Sequence, residues 1–250
     1  MKAIFVTGTA GAGKSLLTSK LLEWYKDNGV FATAMNLDPG VVQLPYTPDI
    51  DIRDFIDIST IMENYSLGPN GSLVMASDLV ATKIEQIQEE ADALNSDYMI
   101  IDTAGQVELF AFRAGGPFFA ANLKAENKVT IFAFDGVIVS SPVNFVSISM
   151  LAASIKLRLN VAQINVLTKR DIVADRLKDI MDWALSHTAL EAALDKERDA
   201  EQSLLSKEFA RAMSKTGFSP GLIAVSSVTM NGIVNLTAAL SRTLNLGEDG

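Results

Sequence analysis

Gly8-Thr9-Ala10-Gly11-Ala12-Gly13-Lys14-Ser15 fits the spacing G-x-x-x-x-G-K-[ST], which suits one kind of chemistry, the holding of a polyphosphate. Glycines let the chain wrap closely, so that the backbone N–H groups of Gly11, Ala12, Gly13, Lys14, Ser15 and Leu16 face the phosphates. The helix that follows adds its positive end. Lys14 would reach the β and γ phosphates, and Ser15 would offer a hydroxyl to Mg²⁺, a hard cation that takes oxygen ligands. Chance alone yields such a loop in roughly one per cent of chains of this length. The segment "MIIDTAGQ" supplies the complementary carboxylate. Asp102 leaves an apolar run where it can face the cation through water, and Gly105 lets the backbone approach a γ-phosphate.

A base-reading segment follows another apolar run, "INVL". In Thr168-Lys169-Arg170-Asp171, the Asp171 carboxylate can accept from both N1–H and the exocyclic amine of guanine, a donor pair that adenine lacks. An acceptor left unpaired by the wrong base costs about 1–3 kcal/mol, enough to discriminate by tens-fold or more. The stem of Lys169 can lie against the purine face. Ser226-Ser227, after "LIAV", is placed to bring the Ser227 backbone N–H to the guanine oxygen, although a serine also simply ends a strand. Asp38, in "NLDPG", closes a further apolar run. It sits near the phosphate loop when its strand and the first strand flank a third in parallel, and there it would orient or help deprotonate a water.

These residues need elements to hold them. "AIFVTG", "FATAMNLD", "DYMIID", "VTIFAFD", "AQINVLTK" and "LIAVSS" are apolar on both alternating faces, as strands covered by helices on both sides of a parallel sheet are. Helical spacing appears over 14–28, at Leu17, Leu21 and Trp24, and over 72–94, at Leu73, Ala76, Val80, Ile84 and Ile87. Alternation of strand and helix predicts a doubly wound α/β fold, a mainly parallel sheet flanked by helices. Gly68-Pro69-Asn70-Gly71 reads as a tight turn, with Ser72 as cap of the helix after it. Residues 39–97 and 172–218 exceed what a simple crossover requires and are expected to be helical insertions within one domain over 1–250. The terminal "LGEDG" is expected to fray.

Composition narrows the partners. The chain has 250 residues, with 21 Lys plus Arg against 30 Asp plus Glu, a net charge of −9. That balance disfavours nucleic acid as a direct ligand. With no Cys, disulfides, thiolate metal sites and a cysteine nucleophile are excluded, and an intracellular setting is suited. No secretory signal is read at the start, and no apolar stretch approaches the roughly 20 residues that span a bilayer. The expectation is a cytoplasmic protein without membrane contact. His187, the only histidine, lacks metal-ligand spacing and is assigned no chemistry. Arg113 is expected to serve a structural ion pair, and Phe110, Phe112, Phe118 and Phe119 to pack in a core or subunit interface.

Taken in order, "GTAGAGKS", "NLDPG", "GPN", "DTAGQVELF" and "TKRD" resemble the GPN-loop GTPases, P-loop NTPases of the SIMIBI class that work as dimers. The resemblance runs along essentially the whole chain and is to archaeal-type members. It implies GTP and GDP as ligands, Mg²⁺ as cofactor, and a homodimer in which the Gly68-Pro69-Asn70 loop of each subunit enters its neighbour's site. Asn70 would then donate near the γ-phosphate and attacking water, where fixed N–H donors stabilise the charge that phosphoryl transfer leaves on oxygen. Gln106 and Glu108 match the family's G-Q-x-E segment, and Asp38 its acidic position after the second strand. With Lys14 these form the expected catalytic set; which of Asp38, Gln106 and Glu108 receives the proton stays open. The chain departs from the family at Ala104, where many members carry Pro, and at Ser227-Val228, which replaces Ser-Ala-Lys. The resemblance further implies a role in assembly of larger complexes, with clients unspecified. An ATP-using relative, or a GTP-latched scaffold with negligible turnover, are the alternatives.

Overall fold

The computed structural model describes residues 1–216 and 220–245, so the terminal "LGEDG" and the end of the second expected insertion lie outside the described residues. The elements run β1 (Lys2–Gly8), α1 (Lys14–Asp27), β2 (Ala32–Asn36), β3 (Ile50–Asp51), α2 (Ile58–Tyr65), α3 (Pro69–Leu79), α4 (Ile84–Leu94), β4 (Tyr98–Asp102), α5 (Gly115–Asn122), β5 (Lys128–Asp135), α6 (Pro142–Leu159), β6 (Ala162–Thr168), α7 (Leu177–Leu185), α8 (His187–Leu194), α9 (Ala200–Lys215), β7 (Leu222–Ala224) and α10 (Ile233–Asn245). The strands form one sheet in the order β3-β2-β4-β1-β5-β6-β7. Every pairing is parallel.

Successive residues of β1 point to opposite faces, and this alternation divides the core in two. Ile4 and Val6 pack with Leu17, Leu21 and Tyr25 of α1 and with Leu236, Leu240 and Leu244 of α10. Ala3 and Phe5 face the other way, into a larger cluster joined by Ile61, Ile87, Phe119, Phe145, Ile180 and Leu190 from helices α2 to α8. Each fully buried aliphatic or aromatic side chain contributes about 1.5–3 kcal/mol by leaving water. Both helical stretches beyond a simple crossover therefore add to one face of the sheet. The carboxyl ends of all strands open on one edge, where open α/β sheets bind ligands at the point of strand-order reversal. That reversal lies at β1, between β4 and β5.

Three local expectations are corrected. Residues 68–71 are not a free-standing turn: Pro69 is the first residue of α3, with Gly68 at its cap. Proline suits that position because its fixed φ is helical and the missing N–H is not required there. Ser72 consequently does not cap the helix; it lies in the first turn and donates back to the Gly68 carbonyl at 3.1 Å. Nor is 72–94 one helix, since a 3₁₀ turn at Val80–Lys83 separates α3 from α4 and keeps both Val80 and Ile87 in the core. The seventh strand, β3, is two residues long, too short to show a periodic pattern.

The packing of α5 is the tightest in this layer. A Cβ on Gly116 would stand 2.0 Å from the Phe110 carbonyl oxygen, and one on Gly115 would stand 2.4 Å from that of Ser77. Gly116→Ala is accordingly expected to lower stability by about 3 kcal/mol, the upper range for overpacking, read as a drop in urea midpoint at unchanged slope. Gly71→Ala makes the opposite case, because its Cβ would meet only Leu67 at 3.5 Å in a helix that gains from Ala.

Candidate active site

The phosphate loop is built by β1 handing over to α1. Gly11 and Gly13 both have positive φ, 75° and 83°, which Gly alone adopts readily. Gly13 caps α1, so Lys14, Ser15 and Leu16 form its first turn, with their N–H groups at the helix's positive end. The buried Lys14 ammonium donates to three carbonyls, those of Gly8 at 3.1 Å, Thr9 at 3.0 Å and Gly105 at 2.8 Å. Burial lowers its pKa, against the opposing pull of Asp102, Asp38 and Glu108. Those three carboxylates thus all lie close enough to act on the lysine.

Asp102 ends β4 beside β1, with 1% of its surface exposed. Burial pushes its carboxyl up to about 6, although the Ser15 and Tyr46 hydroxyls and Lys14 favour the ionised form. Its Oδ2 accepts from the Tyr46 hydroxyl at 3.0 Å, while Oδ1 is buried without a hydrogen-bond partner. Asp38 follows β2 on the far side of β4, the parallel arrangement that its expected role requires. Its Oδ2 accepts from Gly105 N at 2.8 Å and its Oδ1 from Gly40 N at 2.9 Å. Gly105 therefore meets the acid through its N–H and the lysine through its carbonyl.

Behind Asp38 stands a network that sequence reasoning missed. Asn36, fully buried, accepts from Asp38 N at 3.0 Å and donates to Asp38 O at 3.2 Å and Asp51 Oδ1 at 2.9 Å. Arg53 binds both oxygens of Asp51 and donates to Val41 O at 3.1 Å. Burial works against the Asp51 anion, but the Arg53 and Asn36 hydrogen bonds outweigh it and hold the carboxyl below its ordinary range. The short β3 thus fixes the backbone from which Asp38 projects.

The segment over residues 168–171, expected to read the base, begins at the end of β6. Thr168 Oγ1 lies 2.8 Å from Ala12 O and 3.1 Å from Phe134 O, so its one proton ties this segment to the phosphate loop and to β5. Lys169 has a left-handed backbone, φ 58°, and its ammonium pairs with Asp135 Oδ2 at 2.6 Å. Asp135 was legible only as an acid ending an apolar strand, the same signal that marks Asp102. Asp171 is exposed. Ser226 Oγ accepts from Val228 N at 3.2 Å and Thr229 N at 3.0 Å, which shapes the loop holding Ser227.

Lys14, Ser15, Asp38, Asp102, Gly105 and Thr168 are thus joined in one cluster. Gln106 and Glu108 are exposed beside it, Glu108 opening a π-helical turn over Glu108–Phe112. Gly68, Pro69 and Asn70 are exposed at the start of α3, and among the described residues no hydrogen bond links Asn70 to the cluster. Arg113 forms the expected structural ion pair, with Asp78 of α3.

Comparison with known proteins points to one family. A family model described as "Conserved hypothetical ATP binding protein" matches residues 6–245. GPN-loop GTPase 1 of Dictyostelium discoideum is 30% identical over 225 residues, 86% of this chain and 56% of the relative. A GPN-loop GTPase of Pyrococcus abyssi is 36% identical over 182 residues, 72% of this chain and 71% of the relative. The crystal structure of a Pyrococcus abyssi GTPase in apo form covers 97% of each chain with a TM-score of 0.85 and 28% identity. The chain spans 52% to 61% of the length of three of the curated relatives it matches. Sharing sequence with these relatives along most of its length, and one fold with the archaeal GTPase end to end, the chain belongs to the GPN-loop GTPase family.

Proposed function

We propose that this chain binds GTP with Mg²⁺ and hydrolyses it to GDP and phosphate, as a homodimer whose Gly68-Pro69-Asn70 loops complete each other's sites. The observation that carries this reading is the joining of phosphate-facing and base-facing residues at one sheet edge, with Thr168 hydrogen-bonded directly to the phosphate loop at Ala12. Mg²⁺ fits the donors present, the Ser15 hydroxyl and a buried Asp102 oxygen that lacks a partner. When bound, the ion neutralises charge on the β and γ phosphates. Gly11 through Leu16 cradle the phosphates, and Lys14 exchanges its carbonyl partners for phosphate oxygens. Asp38 is the best placed of the three candidate groups to hold the attacking water, because its carboxylate is already fixed against Gly105. Gln106 and Glu108 flank that position.

Asp171 supplies guanine selectivity, Lys169 covers the purine face, and Ser227 offers its backbone to the guanine oxygen. Relatives carry the GTPase name, and the family model carries an ATP-binding description. Measuring mant-GDP against mant-ADP affinity decides between these bases. Wild type is expected to prefer GDP, and Asp171→Ala is expected to lose tens-fold of that preference. Equal affinity of the wild type for both would overturn the guanine assignment. The same nucleotide cycle would serve as a switch for assembling protein clients in the cytoplasm. No helix of the described residues is long and apolar enough to cross a membrane.

A further inference from the structure

The connection from β2 to β3 is fastened down across the nucleotide edge. At its base Asp49 exchanges two hydrogen bonds with Ala34, Asp49 N to the Ala34 carbonyl and Ala34 N to Asp49 Oδ2, both 2.8 Å. Arg53 holds it at Val41 O, and Ser19 of α1 donates to Pro45 O at 3.2 Å. The residue after that anchor is Tyr46, whose hydroxyl reaches Asp102 Oδ2 at 3.0 Å. The other oxygen, Oδ1, is buried with no partner within hydrogen-bond distance, although the Ser15 hydroxyl stands near enough to the carboxylate to favour its ionised form. Lys14 does not relieve it, since all three of the lysine's protons are directed at carbonyls. A buried carboxylate oxygen left in this condition calls for a partner.

We propose that Tyr46 is a positioning residue for the divalent cation: by binding Asp102 Oδ2 it fixes the carboxylate so that Oδ1 is presented to the hydration shell of the metal. The inference rests on the Mg²⁺–nucleotide reading of the pocket and deepens it. A carboxylate held at one oxygen is restricted in rotation, so the other is largely held ready rather than ordered on binding. The strap anchored at Ser19 and Val41 supplies the rigidity, and the phenol supplies a neutral donor that does not compete with the cation for charge.

The test uses the full chain loaded with mant-GDP. Release of the nucleotide is followed at graded Mg²⁺ and in EDTA, and Mn²⁺ binding to the GDP complex is followed by electron paramagnetic resonance. Tyr46→Phe is expected to weaken metal affinity by about tenfold or more, the usual effect of removing an outer-shell partner, with affinity in EDTA within about twofold of wild type. Unchanged metal affinity would overturn the proposal. So would tighter binding, which would make Tyr46 a plug that the metal displaces, or a matching loss in EDTA, which would make its role one of general support. Should Tyr46→Phe not fold, Ser19→Ala loosens the same strap and is expected to weaken metal binding severalfold with nucleotide affinity in EDTA retained; no change there overturns the proposal equally. Wild-type release indifferent to Mg²⁺ would bring down the pocket reading as well, whereas Mg²⁺-dependent wild type with an indistinguishable Tyr46→Phe removes this inference alone.

Discussion

Asp38→Ala is expected to slow single-turnover GTP cleavage by about 10²- to 10⁴-fold, the range for a positioned proton-transfer group, and to leave GDP affinity within about threefold. The split follows from geometry. Asp38 binds backbone N–H groups of Gly40 and Gly105 and belongs to neither the phosphate loop nor the base-reading segment. Its removal takes away the acceptor held beside Gly105 while Lys14, Ser15 and Thr168 keep their places. Phosphate release measured with GTP fully bound checks the first half, and mant-GDP titration the second. Cleavage at the wild-type rate would transfer the water-handling role to Glu108 or Gln106. Asp38 is held in advance by Asn36, Asp51 and Arg53, so in the proposed role little order would remain to be created at the moment of reaction.

Asn70→Ala is expected to cost about 10²-fold in the same single-turnover assay at equal occupancy, the scale for losing one preorganised donor to developing charge. The residue is exposed at the start of α3, and among the described residues no hydrogen bond joins it to its own chain's cluster, so in the proposed dimer its effect is exerted on a second copy. Mixing makes this visible. A dimer of one Asn70→Ala and one Asp38→Ala subunit contains a site with Asp38 from the first and Asn70 from the second, and random pairing restores about a quarter of wild-type activity. Failure of the mixture to exceed its two components would place Asn70 outside the chemistry.

Strong patterns on long elements were legible in the sequence. Gly8 to Ser15, Asp102 and Thr168 to Asp171 each follow a full apolar strand, where a polar residue in a fixed place stands out. Asp38 was found the same way, and the parallel flanking of β4 by β1 and β2 bears out the topology assumed for it. What stayed hidden has a physical reason in each case. A two-residue β3 carries no period, so Asp51 and Arg53 offered no cue that they hold Asn36. Tyr46 lies in an irregular stretch whose course depends on distant anchors at Ser19 and Arg53, and local propensity says nothing about such anchors. The start of α3 was misread because Gly-Pro-Asn-Gly satisfies turn chemistry and helix-entry chemistry equally; burial of Ser72 and Ala76 on the core side settles which prevails.

The shared proton of Thr168 has a consequence for how the ligand is sensed as a whole. Because Ala12 and Phe134 compete for it, displacement of the β6 exit disturbs the loop over residues 8–15, and displacement of that loop disturbs the segment over residues 168–171. In the proposed function the two halves of a nucleotide would then not be weighed separately: a ligand with both halves would divide one ordering cost between them, whereas a fragment would meet that cost alone.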